Sequence, residues 1–354
     1  MKMKKIKTAI KQLFYRHYWL SCLFSSLLYF RIRKDKKIQE TVKQFAGDRL
    51  SEKKYIRKLI IRLYANSLTY QILYAEYFLM GFERLNDQGK REFIGDKERF
   101  KILKSMSRKS IRKIFDNKYN TYLHYQPFFH RNIIRVASQE DRESFDKFVF
   151  THKKFIVKPT TRSFGRGVFV VQTDATGFSA DDLFRTIVDS GEHILEEYIT
   201  QDPKTAKFHP QSVNTLRVST YFDGNKVTPL FAFFRTGRDD HVVDNGGSGG
   251  IFVSVDLATG IACTEGTDEH GIRYLLHPDS GVQMIGFRIP RWDEAMDIVD
   301  RMARVVPEQR YVGWDLALTS EGWILVEANA KGQFLHQYAE RKGSRHLEHI
   351  LKGK

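Results

Sequence analysis

Residues 313–332, "GWDLALTSEGWILVEANAKG", leave little choice of backbone. Trp314, Leu316 and Leu318, then Trp323, Leu325 and Val326, read as two short apolar strands, and "SEG" between them reads as a tight turn. Such a hairpin belongs inside a sheet, yet it carries Asp315, Glu327 and Asn329. Closing the ribbon sets Asp315 roughly opposite Glu327. Side chains alternate faces with period two, so Glu327 and Asn329 point the same way and three oxygen-bearing groups converge on one patch. Two carboxylates there repel and lose hydration unless a positive charge lies between them. A hard cation suits these oxygens, Mg²⁺ being the usual choice beside phosphates. The alternative is a solvated sheet face with its acids in water.

The rest of the chain changes texture once. Up to about residue 130, apolar residues recur at helical spacing, as in Ile56, Leu59, Ile60 and Leu63 and in "LTYQILYAEYFLMGF", with few Gly or Pro. From about residue 150, the β-rich runs "KFIVKP", "GVFVVQ", "HILEEYI", "TLRVSTYF" and "VTPLFAFFR" alternate with turns such as "DGN" and "ATG". Two helices interrupt them, at "SADDLFRTIVDSG" and at "RWDEAMDIVDRMARVVP", the second with Trp292, Met296, Val299, Met302 and Val306 on one face. The expected class of this half is α/β or α+β, behind a mainly helical, basic N-terminal region.

Further motifs follow in order along the second half. "FIVKPTTRSFGRGVFVV" is a hairpin with Lys158 at the end of its first strand and Gly165, Arg166 and Gly167 at its tip. Glycines let backbone N–H groups approach phosphate oxygens, and the lysine and arginine supply charge. No GxxxxGK[ST] loop occurs in the sequence. "HILEEYIT" ends a strand in two acids that suit an adenine edge and ribose hydroxyls, or form an ordinary edge strand. "HPQSVNTLRVSTYFDG" carries Asn214 and then Arg217 on a strand, placed to grip a phosphate or carboxylate bidentately or to pair with a neighbouring acid such as Glu327.

At 354 residues, 42% hydrophobic and 28% charged, the chain is long enough for two or three domains with real cores and is not a disordered tail. Its two cysteines, Cys22 and Cys263, lie far apart, without zinc or disulfide spacing, which fits a reducing, cytoplasmic compartment. The formal charge of +16 is concentrated: residues 1–37 hold eleven Lys or Arg against Asp35 alone. Within them "HYWLSCLFSSLLYF" is shorter than the roughly 20 residues a bilayer span needs and lacks a cleavage site. Two readings stay open: a helix attached to an anionic membrane surface, or a core helix of an N-terminal bundle. RNP, KH and C₂H₂ patterns are absent, so no nucleic-acid partner is expected.

The order Lys158, Gly-rich tip, acidic strand end, Arg217 strand, Asp315 and Glu-x-Asn resembles the ATP-grasp superfamily. "HPQSVNTLRV", "DNGGSGGIFVSVDLATG" and the 313–332 hairpin are similar to the sugar-transfer associated ATP-grasp family, as are "AEYFLMGFERLND" and "FDNKYNTYLHYQPFF" upstream, over about residues 75–340. The resemblance implies an ATP-grasp fold, two α+β lobes clasping ATP. Its expected division is a helical region at 1–130, a lid lobe at 131–200 and a C-terminal lobe with the metal site at 201–354. Lys118 in "DNKYNTY" resembles the first nucleotide-binding lysine and Lys158 the second, which also counts as catalytic. Gly165, Arg166 and Gly167 would form the phosphate-covering loop, and Glu196, Glu197, Tyr198 and Ile199 the adenine hinge. Arg217 would stabilise the transferred phosphoryl group, and Asp315, Glu327 and Asn329 would hold one or two Mg²⁺. His209, Asn214, Asn245 and Ser248 are the expected substrate contacts, with a plain glycine turn and a structural histidine as alternatives. Lys331, after "VEANA", faces either phosphate or solvent.

The activity so implied is ATP- and Mg²⁺-dependent joining of a carboxylate to an amine through an acyl phosphate, in making a polysaccharide. The acceptor would be a sugar nucleotide or lipid-linked glycan, and the site of action the cytoplasm, at the inner face of the membrane. An amino-acid or peptide ligase of small natural-product biosynthesis is the enzymatic alternative. A basic module that binds membrane or nucleic acid through its N-terminal third is the non-enzymatic one.

Overall fold

The computed structural model describes residues 2–162, 165–239 and 249–351, with the backbone alone at 2–7 and 10. The chain is helical up to the helix Lys118–Phe129, and its first strand starts at Ile133. It forms two compact units: Met1–Ser105 with His270–Ile272 and Gln333–Lys354, and Met106–Glu269 with Arg273–Gly332.

In the first unit the helix Lys53–Tyr70 buries Leu59, Ile60, Leu63 and Ala65, and helices Lys2–Arg16, Tyr18–Leu27, Tyr29–Ile32 and Lys36–Phe45 pack on it. A buried acid ties the returning C-terminal segment in. Glu76 accepts from the backbone N–H groups of Leu73 (2.6 Å) and Asp96 and from the Tyr338 hydroxyl (2.8 Å). Burial pushes this carboxyl up to about 7.

The second unit holds two sheets, built from β1 Ile133–Val136, β2 Lys154–Pro159, β3 Phe169–Gln172, β4 His193–Glu197, β5 Thr215–Phe222, β6 Val227–Thr236, β7 Ile251–Val255, β8 Gly266–Thr267, β9 Arg273–Tyr274, β10 Tyr311–Leu318 and β11 Trp323–Asn329. The four-stranded sheet runs β1-β4-β2-β3 and the seven-stranded one β11-β10-β5-β6-β7-β8-β9. Strand alternation sorts the side chains of each. In the smaller sheet Phe155, Val157, Val171 and Leu195 pack with Phe145, Phe148, Phe184 and Ile187 of the helices Arg142–Thr151 and Ala180–Ser190. Ile156, Lys158, Ile194 and Glu196 are left for the other face. In the larger sheet Leu216, Val218, Phe234, Val253, Trp314, Leu316 and Leu325 join a core with Tyr125, Phe129 and the helix Trp292–Ala303. That sends Arg217, Phe233, Arg235 and Asp315 to the opposite face. Both helices read from the sequence in this half are present, as are the five β-rich runs.

Candidate active site

The 313–332 hairpin forms as expected: Asp315 pairs directly with Glu327, and Gly313 with Asn329. A bulge follows Asp315, where the ladder resumes at Leu316↔Leu325 and leaves Val326 as the extra residue. Two positions along on the same face, Asn329 donates Nδ2 to Asp315 Oδ2 at 3.2 Å.

The structure supplies a different cation for Asp315 from the one the sequence suggested. β10 pairs with β5 so that Asp315 lies across from Arg217, whose Nε and Nη2 donate to the two carboxylate oxygens. Arg235 on β6 adds Nη1 to Oδ1 at 3.2 Å. A metal is therefore not required merely to make this buried acid tolerable. Burial works against the Arg217 charge, but Asp315 outweighs it and holds the guanidinium above its ordinary range. Gly313 makes room for it, since a Cβ there would meet Arg217 Cδ at 3.2 Å.

The smaller sheet shows the same pattern. Glu196 accepts from Lys158 Nζ (3.0 Å) and from Arg131 Nη2 (2.8 Å) and Nε (3.2 Å). Arg131 also donates Nη1 to the Leu325 carbonyl at 2.6 Å, so one side chain links β4 to β11. Burial alone would push the Glu196 carboxyl up. The charges of Lys158 and Arg131 and their hydrogen bonds outweigh it and bring the pKa from an ordinary 4.5 down to about 2. Each of these acids thus has two cations. If Lys158 or Arg217 turns to a ligand, Arg131 or Arg235 remains to balance the carboxylate.

The two faces bound a cleft with about 1060 Å³ of free space, part of it open to solvent. Lys118, Lys158, Arg162, Gly165, Glu196, Asp315 and Glu327 line it, and Ile133, Ile156, Ile194, Ile199 and Val326 supply apolar wall. Lys118 is placed by the start of its helix, where Asn117 caps the backbone N–H of Asn120 at 3.0 Å. Its Nζ donates to the Arg162 carbonyl (2.5 Å) and lies 3.9 Å from Glu327. Burial pulls this ammonium below the usual lysine range, Glu327 opposing and Lys158 adding to the fall.

The other expected residues divide. Gly165 and Gly167 have φ of 67° and 77°, a region that favours glycine, and so form the hairpin tip as the sequence suggested. Arg166 is exposed and is not among the cleft-lining residues, whereas Arg162 is. Within the expected hinge, Glu196 and Ile199 line the cleft. Glu197 instead accepts from the Asn132 backbone N–H at 3.1 Å, and Tyr198 stacks under the Lys154 ammonium, 3.8 Å from its ring centre. His209 and Asn214 are buried in a loop of their own making. His209 bonds Ser212 Oγ and the Asp239 carbonyl, each at 2.8 Å, and Asn214 donates to Gln201 and to the Thr205 and His209 carbonyls. Lys331 pairs with Asp116 at 2.5 Å. Asn245 and Ser248 lie outside the described residues.

Sequence reasoning did not single out Arg131, Arg162 or Arg235. Arg235 had a signal: with Phe231 and Phe233 it falls on alternate positions of "FAFFR", the same face as Arg217 once β5 and β6 pair. Arg162 lay inside the quoted hairpin motif, but nothing marked it above Arg166. Arg131 had none, because its carbonyl partner is 194 residues away.

These residues fit a nucleotide with its metal. Glu327 offers a partly exposed carboxylate, Asn329 keeps Oδ1 after spending its amide on Asp315, and two lysines line the cleft, a donor set suited to a hard cation and phosphates. The fold is that of the ATP-grasp class. Residues 82–352 match the model of the sugar-transfer associated ATP-grasp family, and the chain belongs to that family. A search of curated proteins found no match. Similar solved structures include the ATP-grasp ligase PsnB complexed with precursor peptide PsnA2 and AMPPNP, at 15% identity and TM-score 0.41, covering 70% of this chain and 60% of that one. The ADP complex of purK, N5-carboxyaminoimidazole ribonucleotide synthetase, is 12% identical with TM-score 0.44, covering 70% and 54%. D-alanyl-alanine synthetase A from Vibrio cholerae O1 biovar eltor is 10% identical with TM-score 0.43, covering 70% and 67%. This chain thus spans less than two thirds of the first two.

The Glu196 cluster has a pH signature. Its folded pKa lies below its unfolded value, so it stabilises the fold above about pH 4.5, and the contribution is lost as pH falls from there to about 2. At neutral pH the shift is worth roughly 3 kcal/mol. Chemical denaturation of the protein and of Glu196→Gln is expected to show a stability gap of that order at pH 7 that narrows steadily below pH 4.5. A gap independent of pH would contradict the ion cluster.

Proposed function

We propose that the protein is an ATP- and Mg²⁺-dependent ligase that activates a carboxylate on a sugar of a polysaccharide precursor and joins it to an amine. In this reading the four-stranded sheet is the lid lobe and the seven-stranded sheet carries the metal site. It works in the cytoplasm at the inner face of the membrane, on a nucleotide-linked or lipid-linked sugar. The observation that carries the reading is the cleft itself, lined by Lys118, Lys158, Asp315 and Glu327 with apolar walls, Asn329 bonding Asp315, in a member of the sugar-transfer associated ATP-grasp family.

The apolar walls would take the base, and Lys118, Lys158 and the Gly165–Gly167 tip the phosphates. The substrate carboxylate attacks the γ-phosphorus, the bond to the β-phosphate oxygen breaks, and ADP leaves. The amine then attacks the acyl carbon, phosphate departs, and the amine's proton goes to solvent. The reactants are anions, so the protein's share is charge balance and alignment, an effect that can supply roughly 7–11 kcal/mol of a barrier. Mg²⁺, held by Asp315, Glu327 and Asn329, would neutralise charge on the polyphosphate. Arg217 would steady the phosphoryl group in flight, Arg235 keeping Asp315 paired meanwhile. No nucleophilic side chain is needed.

A screen for ADP release with uronic-acid sugar nucleotides and a panel of amines tests this. Release that requires both a sugar carboxylate and an amine is the expected result. Release with amino-acid pairs and no sugar would move the assignment to peptide ligation, and no substrate-dependent release from any pair would overturn it.

A further inference from the structure

The helix Tyr18–Leu27 is amphipathic in the wrong direction for a core helix. Its buried face carries serines: Ser21 and Ser25 are both 0% exposed, Ser21 Oγ accepting from Thr69 Oγ1 at 2.8 Å and Ser25 Oγ donating to the Ser21 carbonyl at 2.5 Å. Tyr18 accepts from Asn66 Nδ2 at 3.1 Å on the same side. Three of its apolar residues point well out to solvent. Trp19 is 63% exposed, Leu23 54%, Leu27 76%, and Phe30 on the next turn 74%. Spaced at 19, 23, 27 and 30, they form one stripe on the side opposite Ser21 and Ser25. Single exposed apolar residues are ordinary, but three in register on one helix, followed by Phe30 on the helix Tyr29–Ile32, mark a contact surface.

What covers that stripe is indicated by the charge around it. Lys11, Arg16, Arg31, Arg33, Lys34, Lys36 and Lys37 are all exposed. Residues 1–37 carry +10, eleven cations less Asp35. A second copy docked face to face would bring two such segments together and be repelled, whereas an anionic lipid surface satisfies cations and stripe at once. Among the described residues no helix is long and apolar enough to cross a membrane, so the helix would lie along the surface.

We propose that this helix docks the protein on an anionic membrane, with Trp19, Leu23, Leu27 and Phe30 in the acyl boundary and the flanking Lys and Arg on lipid phosphates. The core and membrane alternatives of the sequence are then both realised, one on each face of the helix. The inference rests on the proposed membrane location and not on the ligase chemistry.

Co-sedimentation of the full chain with phosphatidylcholine–phosphatidylglycerol vesicles and with pure phosphatidylcholine vesicles tests it. Binding is expected to the anionic vesicles alone, to weaken with salt, and to fall at least about 10-fold in Trp19→Ser/Leu23→Ser, while Trp19→Phe binds like the parent. Both variants should melt like the parent and keep its ADP release in solution, which separates failure of this proposal from failure of the ligase reading. Four results would overturn it: no binding to anionic vesicles, equal binding to neutral ones, unchanged binding by the double variant, or its unfolding. A parent dimer that dissociates in the double variant, without vesicle binding, would assign the stripe to a second copy instead.

Discussion

Arg217→Lys is expected to lower kcat on the order of 10²-fold or more while the affinity for Mg·ATP changes little. The structure explains why the swap is not conservative. Nε and Nη2 are engaged on Asp315 as a fork, and Nη1 remains on the side of Gly313 and Gly332, where a Cβ at either glycine would come within 3.6 Å of it. Lysine keeps a charge beside Asp315 but cannot hold the carboxylate and reach a second oxyanion together. Preorganised donors aimed at developing charge typically contribute about 2.7–4 kcal/mol to a transition state, which sets the size of the loss. The competing role, a purely structural ion pair, has real support in the buried Asp315 contact, and removing one partner of such a pair costs about 3–5 kcal/mol. Arg235 stays on Asp315 in the variant, so most of that stability is expected to survive. Melting temperature and single-turnover rate measured on the same variant decide. A large fall in rate with a modest fall in melting temperature is expected, and a normal rate with a destabilised fold would make Arg217 structural.

How much of this was legible in the sequence depended on the distance over which each feature is determined. The Asp315–Glu327 pairing follows from two apolar runs and a turn, all within twenty residues, and the structure has that register. The bulge at Val326 was not legible, because an extra residue shows only against its partner strand. Lys158 and Glu196 were each marked by their strand ends, but their ion pair depends on β2 lying beside β4. The charge argument at Asp315 named the need for a positive partner correctly and its identity incompletely. That a neighbouring strand would bring Arg217 opposite and a third strand Arg235 is a matter of sheet order. The N-terminal helix illustrates the same limit. Its composition allowed core or membrane, and only packing against the helix Lys53–Tyr70 shows the serines turned in and the Trp19 stripe turned out.

Lys158→Ala and Glu327→Gln both bear on the nucleotide in the cleft. Lys158 is positioned by Glu196, which retains Arg131 when the ammonium is removed, so the alanine variant is expected to fold. A hydrogen bond to a charged group contributes roughly 1.5–3 kcal/mol, and its loss should weaken ATP binding about 10- to 100-fold. Glu327 lies 3.9 Å from Lys118 and partly exposed, the best placed of the three oxygen donors to meet a cation from solvent. Its replacement by glutamine should raise the Mg²⁺ concentration needed for ATP binding and leave the fold intact. Calorimetric titration of ATP into the parent and both variants, each over a range of Mg²⁺, is the most direct test of the cleft as a Mg·ATP site. Saturable binding by the parent is expected, weakened in Lys158→Ala at every Mg²⁺ concentration and in Glu327→Gln chiefly when Mg²⁺ is low. Unchanged affinity in both variants, or no binding by the parent, would contradict it.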